Sequence, residues 1–162
     1  MSDLQTNFTY FFALEIGAIK DGHDYNAMPL HCTLMHRFHS ALSIAELTAI
    51  VRPLFALTQA ILLEPGERLA LGPHRVLVNK LVPTGSLLKL HLQLHTLLTE
   101  HAVHFTESDW VGDGYIPHVS DQRDKQFNSY QPFLAKSIFL ARVEFPLQGS
   151  RRFIEAKFPL SL

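Results

Sequence analysis

Apolar and polar positions along the chain define two kinds of segment, those with a period of two and those with a helical period. Residues 8–19 are apolar on both alternating faces, the pattern of a central strand covered on both sides. Residues 20–29 are polar, contain Asp21-Gly22 and end at Pro29, so they read as a loop. Residues 30–38 form a second strand. Ser43-x-x-Glu46 then has the form of a capping box and opens a helix with Ile44, Leu47, Val51 and Leu54 on one stripe. Pro53 lies within that stripe and is expected to kink or divide the helix.

Residues 60–71 read as two short strands around Pro65-Gly66, and 74–82 as another strand. Pro83-Thr84-Gly85-Ser86 is a turn and cap. It leads into the clearest helix, 87–101, with Leu87, Leu90, Leu94, Leu97 and Leu98 on one face. An acidic, glycine-containing loop at 106–114 precedes an extended segment at 115–120. Two last strands follow at 134–146 and 151–159, separated by Gln148-Gly149-Ser150. Helices and strands in this order predict an α+β fold, two similar lobes around a groove, in a single domain over residues 1–162.

Hydrophobic residues are 47% of the chain and charged residues 18%, enough apolar material for a true core. Fourteen basic residues against fifteen acidic ones give a formal net charge of −1, with no long basic run. Binding to a long duplex needs a basic stripe, so a nucleic-acid substrate is expected to be small or held by its end. The single cysteine, Cys32, rules out an intrachain disulfide and fits a reducing compartment. The N-terminus reads as a strand rather than a signal peptide, and no stretch reaches the roughly 20 apolar residues of a membrane span. A cytoplasmic protein is expected; the oligomeric state is not legible.

Ten histidines are the unusual feature. Two of them open similar motifs, His31-Cys32-Thr33-Leu34 and His118-Val119-Ser120-Asp121, one in each half. On a strand, residues i and i+2 share a face, so each motif sets an imidazole beside a hydroxyl. Two such strands facing one another across a groove would gather two imidazoles and two hydroxyls. A pKa near 6.5 lets one histidine be neutral and the other protonated, so one can accept a proton and the other donate one. Hydroxyls can donate to phosphate oxygens as charge develops. That set suits phosphodiester hydrolysis and requires no metal or other cofactor in principle.

The chain resembles the two-histidine (2H) phosphoesterases, the 2′–5′ RNA ligase/cyclic phosphodiesterase superfamily. The likeness lies in the N-terminal strand, the His31-x-Thr33 motif, the two helices, and the His118-x-Ser120 motif after Pro117. It implies a bilobal α+β fold of two antiparallel-sheet lobes with outer helices around a central groove. It also implies hydrolysis or transesterification of 2′,3′-cyclic or 2′–5′ phosphodiesters, with His31, Thr33, His118 and Ser120 as the catalytic set. The resemblance alone assigns His118 as base and His31 as acid. Asp121 stands where the family pattern usually has an apolar residue, and a carboxylate beside a bound phosphate would repel it unless strand alternation turns it away. Other readings therefore stay open: a 2′–5′ RNA ligase, or a non-catalytic module for nucleotides or RNA ends.

The remaining candidates have structural readings beside functional ones. Strand parity sets His31, Thr33, Met35 and Arg37 on one face and Cys32, Leu34, His36 and Phe38 on the other. Arg37 can therefore meet a phosphate. His36 is turned away, which argues against a zinc site shared with His31. A metal-binding histidine-rich protein remains the alternative from another class. Cys32 reads as a buried thiol rather than a nucleophile. His91 and His95, four apart, read as a helix flank rather than a metal pair. Trp110 can stack on a base or anchor its loop. Lys80 and Arg123 read as surface charges.

Overall fold

The computed structural model describes residues 8–122, 125–128, 130–144 and 151–162. The elements in chain order are β1 (Phe8–Glu15), β2 (Asp24–Tyr25), β3 (His31–His39), α1 (Ile44–Ala56), β4 (Ile61–Leu63), β5 (Pro65–Leu71), β6 (Val76–Leu81), α2 (Gly85–Thr99), β7 (His104–Phe105), β8 (His118–Ser120), β9 (Phe133–Ala135), β10 (Ser137–Glu144) and β11 (Arg151–Pro159). Two short 3₁₀ turns, Ser108–Trp110 and Gly112–Gly114, lie between β7 and β8. Arg123, the end of the expected strand at 145–146 and the turn at 148–150 lie outside the described residues.

One antiparallel sheet runs β2-β11-β10-β1-β3-β8-β6-β5, with β7 paired to the far end of β3. β4 and β9 form a separate two-stranded pair. The strand order explains why β1 is apolar on both faces. Tyr10, Phe12 and Leu14 join the main core, under α1 and α2, while Phe11 and Ala13 join a second cluster on the opposite face with Met28, Phe139 and Ile154. In the main core Phe12 meets Phe55 of α1 edge-on at 5.6 Å, and Phe55 meets Phe158 of β11 at 5.1 Å. These fully buried rings clamp the first helix onto the strands.

The capping box forms as expected: the Ser43 hydroxyl accepts from Glu46 N–H at 3.1 Å, and Ser43 N–H donates back to the Glu46 carboxylate at 3.0 Å. Pro53, however, does not divide α1, which continues through it. Its ring and Ala49, the residue whose carbonyl loses a partner, are both on the exposed side, where water can replace the missing N–H. Among the described residues no helix is long and apolar enough to cross a membrane.

The two motif strands are hydrogen-bonded neighbours at the centre of the sheet, rather than walls facing across a groove. A single registered pair, Cys32 opposite Val119, fuses the β1/β3/β10/β11 lobe to the β5/β6/β8 lobe.

Candidate active site

The Cys32–Val119 pair determines the site. Both side chains are fully buried on the core face. Antiparallel alternation then turns their neighbours to the other face and sets His31 opposite Ser120 and Thr33 opposite His118. The two imidazoles lie on one diagonal of a square and the two hydroxyls on the other. Diagonal neighbours across an antiparallel pair are about 7–8 Å apart, room for one tetrahedral phosphate between the rings. All four residues are half-buried.

The two histidines are held in the same way. His31 Nδ1 donates to the carbonyl of Pro29 at 2.9 Å, and His118 Nδ1 to the carbonyl of Ile116 at 2.8 Å. A carbonyl only accepts, so each Nδ1 carries the hydrogen and each Nε2 is left for proton exchange. Burial lowers the pKa of both rings, partly offset by these carbonyls; for His31 the charges of Arg152 and His118 lower it further. An anion seated between the rings opposes that shift and favours protonation of one of them.

Groove space opens on both sides of the square. A cavity of about 450 Å³ is lined by His31, Thr33, Arg37 and Arg152, and one of about 300 Å³ by His118, Ser120, Trp110 and His74. His36 and Arg37 line both. Arg37 meets Glu107 at 3.3 Å. All six sequence-derived candidates, His31, Thr33, His118, Ser120, Arg37 and Trp110, thus line one or other of these adjoining cavities.

His36 corrects the parity reading. β3 bulges against β1, with register shifts between Tyr10 and Phe12 and again between Phe12 and Ala13. Leu34 and Met35 both enter the core, and His36 emerges on the groove face. Its ring lies 6.2 Å from that of His118 and 5.9 Å from Trp110. Burial, followed by the charges of His118, His91 and Arg37, pushes its pKa down to about 4. Parity therefore no longer argues against zinc; among the described residues no group of three His, Cys, Asp or Glu is placed to hold a metal ion.

Two residues stand behind the site. His91 is buried in α2 rather than flanking it: its Nδ1 donates to the Leu34 carbonyl at 2.8 Å, and its Nε2 accepts from Gly112 N–H at 2.9 Å. Its ring stacks on Tyr115 at 3.9 Å, and the Tyr115 hydroxyl donates to the Thr33 carbonyl at 2.8 Å. Together they tie β3 to the loop that leads into β8. Gly114 permits the tight fold of that loop, since a Cβ there would sit 1.9 Å from the Asp109 carbonyl oxygen. Cys32 is the expected buried thiol, its pKa pushed up to about 12 by burial. Lys80, read as surface charge, stands opposite His118 in the β6–β8 ladder.

Asp121 is turned away from the square. Arg68 grips both of its oxygens, at 3.1 and 2.7 Å, and also donates to buried Asn79 at 2.7 Å. The departure from the family pattern is thus neutralised on the face opposite Ser120.

No family model matches the chain, and no curated protein matches it. Solved structures do. E. coli LigT in complex with 3′-AMP has a TM-score of 0.66 at 16% identity, covering 95% of this chain and 98% of LigT. A crystal structure of a phosphoesterase gives 0.61 at 14% identity over 95% of this chain and 98% of its own. TT0787 of Thermus thermophilus gives 0.58 at 17% identity, over 94% and 97%. The chain therefore has the α+β fold of LigT and the two-histidine phosphoesterases.

Proposed function

We propose that this chain is a metal-independent phosphodiesterase that hydrolyses 2′,3′-cyclic phosphate or 2′–5′ phosphodiester bonds of nucleotides or RNA ends. The observation that carries this reading is the square of two imidazoles and two hydroxyls around the Cys32–Val119 pair, with each Nδ1 spent on a carbonyl. His118 Nε2 takes a proton from water, whose oxygen attacks phosphorus. The bond from phosphorus to the ribose oxygen breaks, and His31 Nε2–H gives that oxygen its proton. Each transfer contributes roughly 10²–10⁴-fold. Thr33 and Ser120 donate to the non-bridging oxygens as charge builds on them. A phosphomonoester and a free hydroxyl result. LigT has been crystallised with 3′-AMP and with NADP⁺, which supports a nucleotide as the occupant of the groove. The Arg68–Asp121 pair weakens the non-catalytic reading, since the carboxylate that motivated it is held away.

The test is a panel of 2′,3′-cyclic nucleotides and 2′–5′ dinucleotides, with products identified as 2′- or 3′-phosphates, run on wild type, His31→Ala and His118→Ala. Turnover by wild type and loss in both variants is expected, with a bell-shaped kcat/KM profile in wild type whose limbs belong to the coupled pair. A substrate with a very good leaving group should rescue His31→Ala and not His118→Ala; the opposite pattern reverses the roles. Joined 2′–5′ products would favour the ligase. Near-normal turnover in both variants removes the mechanism.

A further inference from the structure

The larger groove cavity has a charge character that two-histidine chemistry does not use. Its lining includes Arg37, Arg152, His31 and His36, and no carboxylate among the described residues. Arg152 is the unusual member. The other cations of β10 and β11 meet carboxylates: Arg142 meets Glu144 and Glu155, Arg151 meets Asp24, and Lys157 meets Glu15. Arg152 is half-buried and, among the described residues, makes no ion pair; its hydrogen bond is a long one to the Asn26 carbonyl at 3.4 Å. Burial and the charge of Arg37 lower its pKa, the mark of a guanidinium held away from water beside another cation. Such a charge is costly unless an anion joins it.

Its position says which anion. β11 is three strands from β3 in the sheet order, about 14 Å at the backbone. The arginine side chain reaches back over β10 and β1 into the cavity that His31 borders. The guanidinium is therefore near the square without belonging to it, close enough for its charge to act on His31. We propose that Arg152, with Arg37 across the cavity, forms a subsite for a second phosphate of the substrate, one attached at the 5′ position of the nucleotide whose 2′,3′ end lies at the histidines. This rests on the phosphodiesterase reading above. It narrows the substrate class to nucleotides or RNA ends carrying a 5′-phosphate group, whether a terminal monoester or the diester to a preceding nucleotide.

Two measurements test it separately from turnover and through turnover. In calorimetry, wild type should bind adenosine 3′,5′-bisphosphate more tightly than 3′-AMP, by roughly ten- to hundredfold for one charge-assisted contact. Arg152→Gln should remove most of that ratio, and Arg152→Lys should retain part of it. In kinetics, kcat/KM for adenosine 2′,3′-cyclic phosphate is compared with its 5′-phosphorylated form and with a dinucleotide ending in the same cyclic phosphate. Preference for the 5′-phosphorylated form over the dinucleotide identifies a terminal phosphate; equal preference for both identifies any 5′-linked phosphate. Turnover of none of them, with the binding ratio intact, removes the phosphodiesterase reading and leaves the subsite standing. Equal affinities of wild type for 3′-AMP and the bisphosphate, or a ratio unchanged in Arg152→Gln, overturns the subsite. The wild-type comparison decides even if Arg152→Gln fails to fold.

Discussion

Replacing His36 with phenylalanine should flatten part of the acid response of stability. His36 lies on the groove face of the β3 bulge, its Nε2 is buried without a hydrogen-bond partner among the described residues, and its pKa falls from 6.5 to about 4. A lowered pKa means that the unfolded chain binds the proton more readily than the folded one. The contribution is whole above about pH 6.5, declines as pH falls, and is lost below about pH 4. At about 1.4 kcal/mol for each pH unit, the full difference is about 3 kcal/mol, most of which is lost by pH 4.5. A phenylalanine keeps an aromatic ring in the same place and cannot titrate. The assay is urea denaturation of both proteins at pH 7.5 and pH 4.5. His31, His91 and His118 also have lowered pKa values, but they are common to both proteins and cancel in the comparison. His36→Phe should lose about 2 to 3 kcal/mol less than wild type between the two pH values. Equal losses would refute the placement of His36 in the buried groove wall.

Three further outcomes are expected. Thr33→Val and Ser120→Ala should each slow turnover by roughly 10–10³-fold, as for loss of one oxyanion donor, and unchanged rates in both would show that the hydroxyls do not meet phosphate. Activity should survive EDTA; loss that a divalent ion restores would overturn the metal-independent step. Arg68→Ala should release the Asp121 carboxylate and lower kcat/KM by roughly three- to thirtyfold through repulsion of the substrate anion. Asp121→Asn in that background should restore most of the loss, and failure to do so would show that Arg68 acts by another route.

Each imidazole–hydroxyl pair was legible because it depends on a short-range rule. His31 and Thr33 are two apart on one strand, as are His118 and Ser120, and no distant contact alters that spacing. The partnership of the two strands was not legible, because register between residues far apart in sequence is decided by the assembled sheet. His36 shows a signal that was present and unused. The strand alternates through Leu34 and then repeats an apolar residue at Met35 and a polar one at Arg37, and that broken alternation marks the bulge. His91 similarly falls between Leu87 and Leu94 on the apolar stripe of α2, at core spacing. Arg152 had no signal, since its cavity is formed by strands and a loop from both ends of the chain.

Holding both motifs on one antiparallel ladder has a consequence for how such a site can diversify. The separation of the two imidazoles is quantised. It changes only when β8 slides along β3, and a one-residue slide would drive His118 into the core in place of Val119 while β1 holds His31 where it is. Gradual tuning of the imidazole pair is therefore closed to mutation. Selectivity must come from the walls instead: the segment before β3 that holds Asn26, the β5–β6 turn with Gly72 and His74, and the acidic loop that carries Glu107 and Trp110. New ligands are reached by rewriting those three margins around an imidazole pair whose spacing the backbone keeps constant.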